Sequence, residues 1–169
     1  GRLDENKNQI MLLRAINHLK EKKNFDIVLI GEGKNKRDLI EYGKKIGIND
    51  NLYIYNFQKN PYPYLFNSDL KILTSNFEGL PNVLLEAMAL NIPIISTNSP
   101  TGPREILLNG KAGYLVKRND HISLSKKIKF FLENPIAFRK KKLFYKDSLK
   151  RFSPEKSLKN YVRIVESII

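Results

Sequence analysis

Residues 77–95 read FEGLPNVLLEAMALNIPII, and the order of their parts decides the fold. Phe77 to Leu80 is a short loop carrying Glu78 and Gly79, and Pro81 suits the first position of a helix, where no backbone donor is required. Asn82 to Leu90 carries apolar residues at helical spacing, which puts Glu86 in the second turn. IPIIST then reads as a strand near 93–96 with hardly a polar face. Such a strand belongs to a parallel sheet covered by helices rather than to a half-solvated antiparallel one.

Outward from this stretch the alternation continues in both directions. Ile10, Leu12, Leu13, Ile16 and Leu19 predict an amphipathic helix over 6–20, and DIVLI at 26–30 predicts a buried strand ending in the turn Gly31, Glu32, Gly33. A helix over 35–46 stops at Gly47, and NLYIYNF at 51–57 has the aromatic and β-branched content of a strand. A helical turn at Tyr64–Asn67 leads into a strand at 70–73. On the carboxyl side, one or two helical turns at 103–108 and a strand at 112–116 complete the alternation. From His121 the pattern is helical, broken at Pro135 and Pro154 into three segments.

Strands alternating with helices predict an α/β fold, a parallel sheet with helices on both faces. Ligands of such sheets sit beyond the carboxyl ends of the strands, which gathers GEG, TSNFEG and STNSPTG at one rim. The chain begins on a helix, whereas a doubly wound sheet begins on a strand. The expectation is therefore that a first strand is missing.

With 169 residues the chain fills one ordinary domain. Its 41% hydrophobic and 28% charged residues suit a folded protein rather than a disordered one. No apolar run is long enough to cross a bilayer, and the opening residues do not read as a leader. The absence of Cys excludes disulfides and thiolate chemistry, and His18 and His121 are the only imidazoles, so a structural zinc site is not expected. Neither His belongs to a recognisable arrangement of nucleophile and base.

Lys and Arg number 30 against 17 Asp and Glu, a formal charge of +13 that favours anionic partners. Nucleotides, nucleic acid and an acidic membrane face all qualify. The excess concentrates in KKIKF at 126–130, RKKKLFYK at 139–146, Lys150 and Arg151. A solvated helix face explains such runs, and contact with anionic lipid head groups is the alternative. Nucleic acid is less favoured, because no interleaved basic and aromatic motif accompanies the charge.

Several residues at the expected rim have the chemistry to hold an anionic metabolite. Arg2 and Lys7 lie on either side of a loop-to-helix junction, where a planar guanidinium fork and an ammonium point charge suit phosphate. Gly31 and Gly33 permit close approach of a ligand, although no GxGxxG or P-loop spacing accompanies them. Glu78 and Glu86 can each accept hydrogen bonds from vicinal hydroxyls, one from a sugar ring and the other from a ribose. The amides near Gly79 and Leu80 and at the helix start are suited to phosphate. The bend Ser96 to Gly102 either lines the pocket or simply makes the turn.

GRL with Lys7, LIGEG, SNFEGLPNVLLEAMA and the later segment through GYLV resemble the nucleotide-sugar-binding half of glycosyltransferase family 4. These are retaining enzymes of two facing Rossmann-like domains, the GT-B fold, and the resemblance spans essentially the whole chain. It implies that Arg2 and Lys7 hold the donor diphosphate, Glu86 grips the ribose, and Glu78 with Gly79 and Leu80 places the transferred sugar. It further implies that Gly31 and Glu32 lie near the base, and that Pro81, Asn82, Val83 and Leu84 border the phosphates. Gly102, Pro103, Arg104 and Glu105 match a helix beside the donor.

The implied donor is a UDP-sugar, with no cofactor and no metal required on its diphosphate. The implied acceptor is a glycan or lipid-linked hydroxyl in capsule, lipopolysaccharide or lipid-linked oligosaccharide synthesis. The implied location is cytoplasmic, peripheral on the inner face of a bacterial membrane. Members carry an amino-terminal acceptor domain of similar size that is absent here, so residues 1–169 are expected to bind donor and to transfer poorly or not at all. Nucleotide-sugar epimerisation or hydrolysis and a basic nucleic-acid-binding module are the competing readings.

Overall fold

The computed structural model describes residues 1–166; the expected domain runs to 169, and its final residues lie outside the described ones. The elements alternate as α1 (Gln9–Asn17), β1 (Ile27–Ile30), α2 (Lys36–Lys45), β2 (Leu52–Tyr55), α3 (Tyr62–Phe66), β3 (Lys71–Leu73) and α4 (Asn82–Ala89). They continue as β4 (Ile94–Thr97), α5 (Pro103–Ile106), β5 (Tyr114–Val116), α6 (His121–Glu133), α7 (Pro135–Lys141), α8 (Tyr145–Arg151) and α9 (Pro154–Glu166). Among the described residues all strand pairings are parallel, so the α/β reading holds.

The strands form two hydrogen-bonded sets, β1 with β2 and, in order, β3, β4 and β5. β1 and β3 thus each keep an edge that no described strand pairs. Residues 1–8 run between the carboxyl ends of these two strands. Gly1 N donates to Ile30 O at 2.7 Å on one side, and Asn76 N donates to Asn6 O at 2.7 Å on the other.

β4 organises both layers. Ile95 faces the core built by α1, α2, α6 and Phe138, while Ile94 faces the core built by α4, α5 and Tyr145. Both isoleucines are essentially fully buried, each stabilising by about 1.5–3 kcal/mol relative to exposure. β1 buries only alternate residues: Ile27 and Leu29 join the first core, while Val28 is 46% exposed on the opposite face beside exposed Tyr53 and Tyr55 of β2. Cover on both faces therefore holds for β4 and not for this pair.

Two helical expectations need correction. α1 starts at Gln9 rather than near residue 6, because Asn8 adopts a left-handed backbone (φ 49°) after a turn in which Lys7 N donates to Asp4 Oδ1 at 2.9 Å. The three carboxyl-terminal helices are four among the described residues, since a 3₁₀ turn at Lys142–Phe144 divides α7 from α8. The break re-aims the chain: Phe138 enters the first core and Tyr145 the second, where its hydroxyl donates to Ile92 O at 2.9 Å. Burial pushes the Tyr145 phenol far above its ordinary pKa.

Part of the basic charge is also structural. Lys141 Nζ donates to Gly110 O at 2.6 Å and lies 4.3 Å from the Tyr114 ring, with Lys127 on the same ring at 4.8 Å. Arg151 reaches Glu105, and Ser148 Oγ donates to Ile106 O at 2.6 Å, tying α8 to α5. No helix among the described residues is long and apolar enough to cross a membrane.

Candidate functional site

The loop between β3 and α4 is fixed from several directions. Asn6 grips Phe77 reciprocally, its Oδ1 accepting from Phe77 N at 3.0 Å and its Nδ2 donating to Phe77 O at 3.1 Å. Thr101 Oγ1 donates to Glu78 O. Gly102 packs so closely beneath the loop that a Cβ there would sit 2.1 Å from Gly79 O and 2.5 Å from the Pro81 ring. Only a residue without a side chain allows this approach, and φ of 76° reinforces the requirement.

Lys7 Nζ meets Glu78 Oε1 at 2.6 Å, in a pair whose side chains are 25% and 10% exposed. A charge-assisted bond of this kind in a partly dry setting is stronger than a surface ion pair. Lys7 and Glu78, expected to serve one site, are therefore in contact. Lys71, half-buried at the start of β3, lies near enough to feel both Glu86 and Lys7. Burial pushes the Lys71 pKa below its ordinary value, Glu86 opposes the shift and Lys7 adds to it.

Glu86 stands in the second turn of α4, as the sequence predicts. Pro81 precedes the helix as its N-cap rather than occupying its first turn, and it supplies no capping side chain. The first-turn amides of Asn82 and Val83 are thereby left facing outward at the positive end of the helix dipole. Leu84 is fully buried in the second core and anchors that turn. Gly79 and Leu80 are exposed at the rim.

At the β1 end, Gly31 N donates to Tyr55 O at 3.0 Å and Leu3 N to Glu32 O at 2.8 Å. A Cβ on Gly33 would lie 2.2 Å from Leu3 O, so the glycine turn gives passage to residues 1–3. The Glu32 carboxylate is exposed, with Phe57 N at 3.4 Å. The Arg2 side chain is 75% exposed and bonds Asp4 Oδ2 at 3.2 Å.

Sequence reading missed the amides that brace the rim. Asn8 Nδ2 donates to Asn119 Oδ1 at 2.8 Å and to Asn76 Oδ1 at 3.2 Å, linking residues 8, 76 and 119. Asn8 and Asn119 both have positive φ, for which an isolated Asn is only a weak sequence signal. Arg118 was also missed; it lies 5.0 Å from the Phe77 ring centroid and its Nη1 donates to Asn76 O at 3.3 Å. His18 and His121 stack at 5.2 Å on the α1–α6 side. Among the described residues no group of three or more His, Cys, Asp or Glu is placed to hold a metal ion.

The arrangement offers two carboxylates, a partly dry ammonium and an uncapped helix start at the carboxyl ends of parallel strands, as a sugar attached to a phosphate requires. The family model for glycosyl transferases group 1 matches residues 1–151, and the chain belongs to that family. It is 32% identical over 134 residues to a Campylobacter jejuni N-acetylgalactosamine-N,N'-diacetylbacillosaminyl-diphospho-undecaprenol 4-alpha-N-acetylgalactosaminyltransferase, covering 79% of this chain and 36% of the relative. An uncharacterised glycosyltransferase of Methanocaldococcus jannaschii is 43% identical over 108 residues, covering 63% of this chain and 27% of its own length. The chain thus spans about a third of these relatives.

Among solved structures, the catalytic domain of a cholesterol-alpha-glucosyltransferase from Helicobacter pylori superposes with a TM-score of 0.79 at 25% identity, covering 90% of this chain and 95% of that one. An Anabaena protein, HepE, in complex with UDP superposes with a TM-score of 0.85 at 18% identity, covering 99% of this chain and 47% of that one. The fold is that of part of a GT-B glycosyltransferase.

Proposed function

We propose that this chain is the carboxyl-terminal, donor-binding domain of a retaining family 4 glycosyltransferase that uses a UDP-sugar. The observation carrying this reading is the Lys7–Glu78 contact beside the uncapped start of α4, with Glu86 one helical turn further on. The diphosphate lies against the Asn82 and Val83 amides, with Lys7 and Arg2 supplying positive charge. Glu86 accepts from the ribose hydroxyls and Glu78 from the sugar. Gly31 and Glu32 border the base, and Gly79, Leu80, Pro81 and Leu84 shape the pocket wall.

In transfer, the bond from the anomeric carbon to the diphosphate oxygen breaks with its electrons, and an acceptor hydroxyl bonds to the same face of that carbon. Its proton passes to the departing phosphate. Fixed cations and amides stabilise the charge that collects on the leaving group, without a metal on the diphosphate. An amino-terminal domain supplies the acceptor side, so the isolated chain binds donor and turns over poorly or not at all. The unpaired edges of β1 and β3 support a further strand between them in the complete domain. The complete enzyme extends a glycan or lipid-linked oligosaccharide from the cytoplasmic side of a bacterial membrane, where the basic helices meet anionic lipid.

Calorimetric titration with UDP, GDP, ADP and UDP-sugars tests the assignment. UDP should bind most tightly, and Glu86→Ala and Arg2→Ala should each weaken it about tenfold, the loss of one charge-assisted hydrogen bond. Unchanged donor affinity in both variants would overturn the assignment of the site.

A further inference from the structure

One residue from Glu78, the rim opens into two adjoining hollows of about 550 and 350 Å³ that share Asn98 and Lys117. They lie over the carboxyl ends of β4 and β5. Arg104, Lys117 and Arg118 line them with Asn76, Asn98 and Asn109, and Phe77 forms the wall nearest Glu78. No acidic residue is in the lining. None of the three cations belongs to an ion pair among the described residues.

Asp120 senses Lys117, and its oxygens accept from Ser123 N at 2.8 Å and Ser123 Oγ at 2.7 Å. Asp120 keeps its negative charge and offsets Lys117 in part, while Arg104, Lys117 and Arg118 leave the lining itself net positive. The floor beside them is braced: Asn98 N donates to Val116 O at 2.8 Å, and the Asn8 side-chain amide joins the side chains of Asn76 and Asn119. Arg118 is fixed over Phe77, leaving part of its guanidinium fork toward the hollow. Three unpaired cations on a braced floor, with the amides of Asn98 and Asn109 for hydroxyl or phosphoryl oxygens, favour an anion over a neutral sugar.

We propose that this groove is a second anion subsite, separate from the donor diphosphate position, which receives a phosphate-bearing group of the acceptor and sets its hydroxyl beside the sugar held at Glu78. The inference rests on the donor reading above for what lies at Glu78. The groove itself does not. A phosphate carried by a lipid diphosphate and one carried within a glycan present the same oxygens to it.

The test is an amide NMR titration of the isotopically labelled chain, first with UDP to saturation and then with inorganic pyrophosphate at near-physiological salt, which screens diffuse surface binding. Pyrophosphate should shift the amides of Asn98, Lys117, Arg118 and Asn119 without displacing UDP from Gly31 and Asn82. The double variant Lys117→Glu with Arg118→Glu should weaken this second event about tenfold or more, whereas Lys140→Glu on the equally basic α7 should leave it unchanged. Geranyl diphosphate binding more tightly than pyrophosphate would identify a lipid-borne phosphate, and equal binding a phosphate read without its carrier.

Displacement of UDP by pyrophosphate, or an equal loss in Lys140→Glu, would overturn the subsite. Failure of UDP to bind while the groove amides still respond would instead sink the donor reading and leave the groove standing.

Discussion

β4 and β1 are both parallel strands of a few residues, yet the protein treats them differently. Every residue of β4 is buried, with Ile94 and Ile95 serving opposite cores, while Val28 at the centre of β1 stays about half exposed. The Glu78 loop sits next to the first kind of strand and the Gly31 turn follows the second. The Glu78 half of the rim therefore rests on a platform packed from both sides, and the Gly31 half on one packed from a single side. Preorganised electrostatics require the former, because a charge that moves as the leaving group departs stabilises it less.

The largest expected effect tests this contrast directly. Ile95→Ala should cost about 4 kcal/mol of stability, the loss of a buried side chain plus its cavity, while Val28→Ala should cost under about 1 kcal/mol. Urea unfolding of the two variants measures both, and equal costs would erase the difference between the strands. Next in size, Gly102→Ala should lose about 3 kcal/mol, since a methyl group meets Gly79 O in a backbone conformation that resists it. Because the displaced backbone is the Glu78 loop, UDP affinity should fall along with the melting temperature.

Lys7→Met should cost about 2 kcal/mol by leaving Glu78 without its partner in a largely buried position. Adding Glu78→Gln should recover about half of that loss in a double-mutant cycle, and strict additivity would show that the contact contributes nothing. A smaller effect than that of Lys7 belongs to Asp120, which caps α6 through Ser123. Asp120→Ala should cost about 1 kcal/mol.

The pH dependence of that cap has a definite sign. Hydrogen bonds from the Ser123 side chain and backbone hold the Asp120 pKa below its ordinary value. Its contribution is present above the unfolded carboxylate range near pH 4 and fades as pH falls through the lower folded value. The stability difference between wild type and Asp120→Ala should accordingly be constant near neutrality and shrink in acid. A difference that grows on acidification would contradict it.

The parts of the fold legible in the sequence were those fixed by local pattern. DIVLI before a glycine turn and IPIIST after an apolar helix announced strands, of which only the second is buried throughout, and Pro81 with Glu86 placed the start and second turn of α4 within a residue. Lys7 and Glu78 were legible as members of one site through their chemistry and the family resemblance, but their direct contact was not, since nothing local joins positions so far apart. The fastening of the Glu78 loop was not legible, because Asn6, Thr101 and Gly102 act across long loop closures and have ordinary turn composition. The 3₁₀ break before Tyr145 was equally hidden. Its backbone stays right-handed throughout, and no proline or glycine marks it.

That break has a consequence for where the molecule can be cut. With Phe138 and Tyr145 planted in opposite layers, the segment through Arg151 acts as a clasp closing around the edge of the sheet, and the family match also stops at residue 151. Removing everything after Phe152 should leave a cooperative melt nearly unchanged, as Leu158, Tyr161 and Val162 of α9 lie exposed. Ending the chain at Leu143 opens the clasp, and thermal unfolding should lose its single sharp transition.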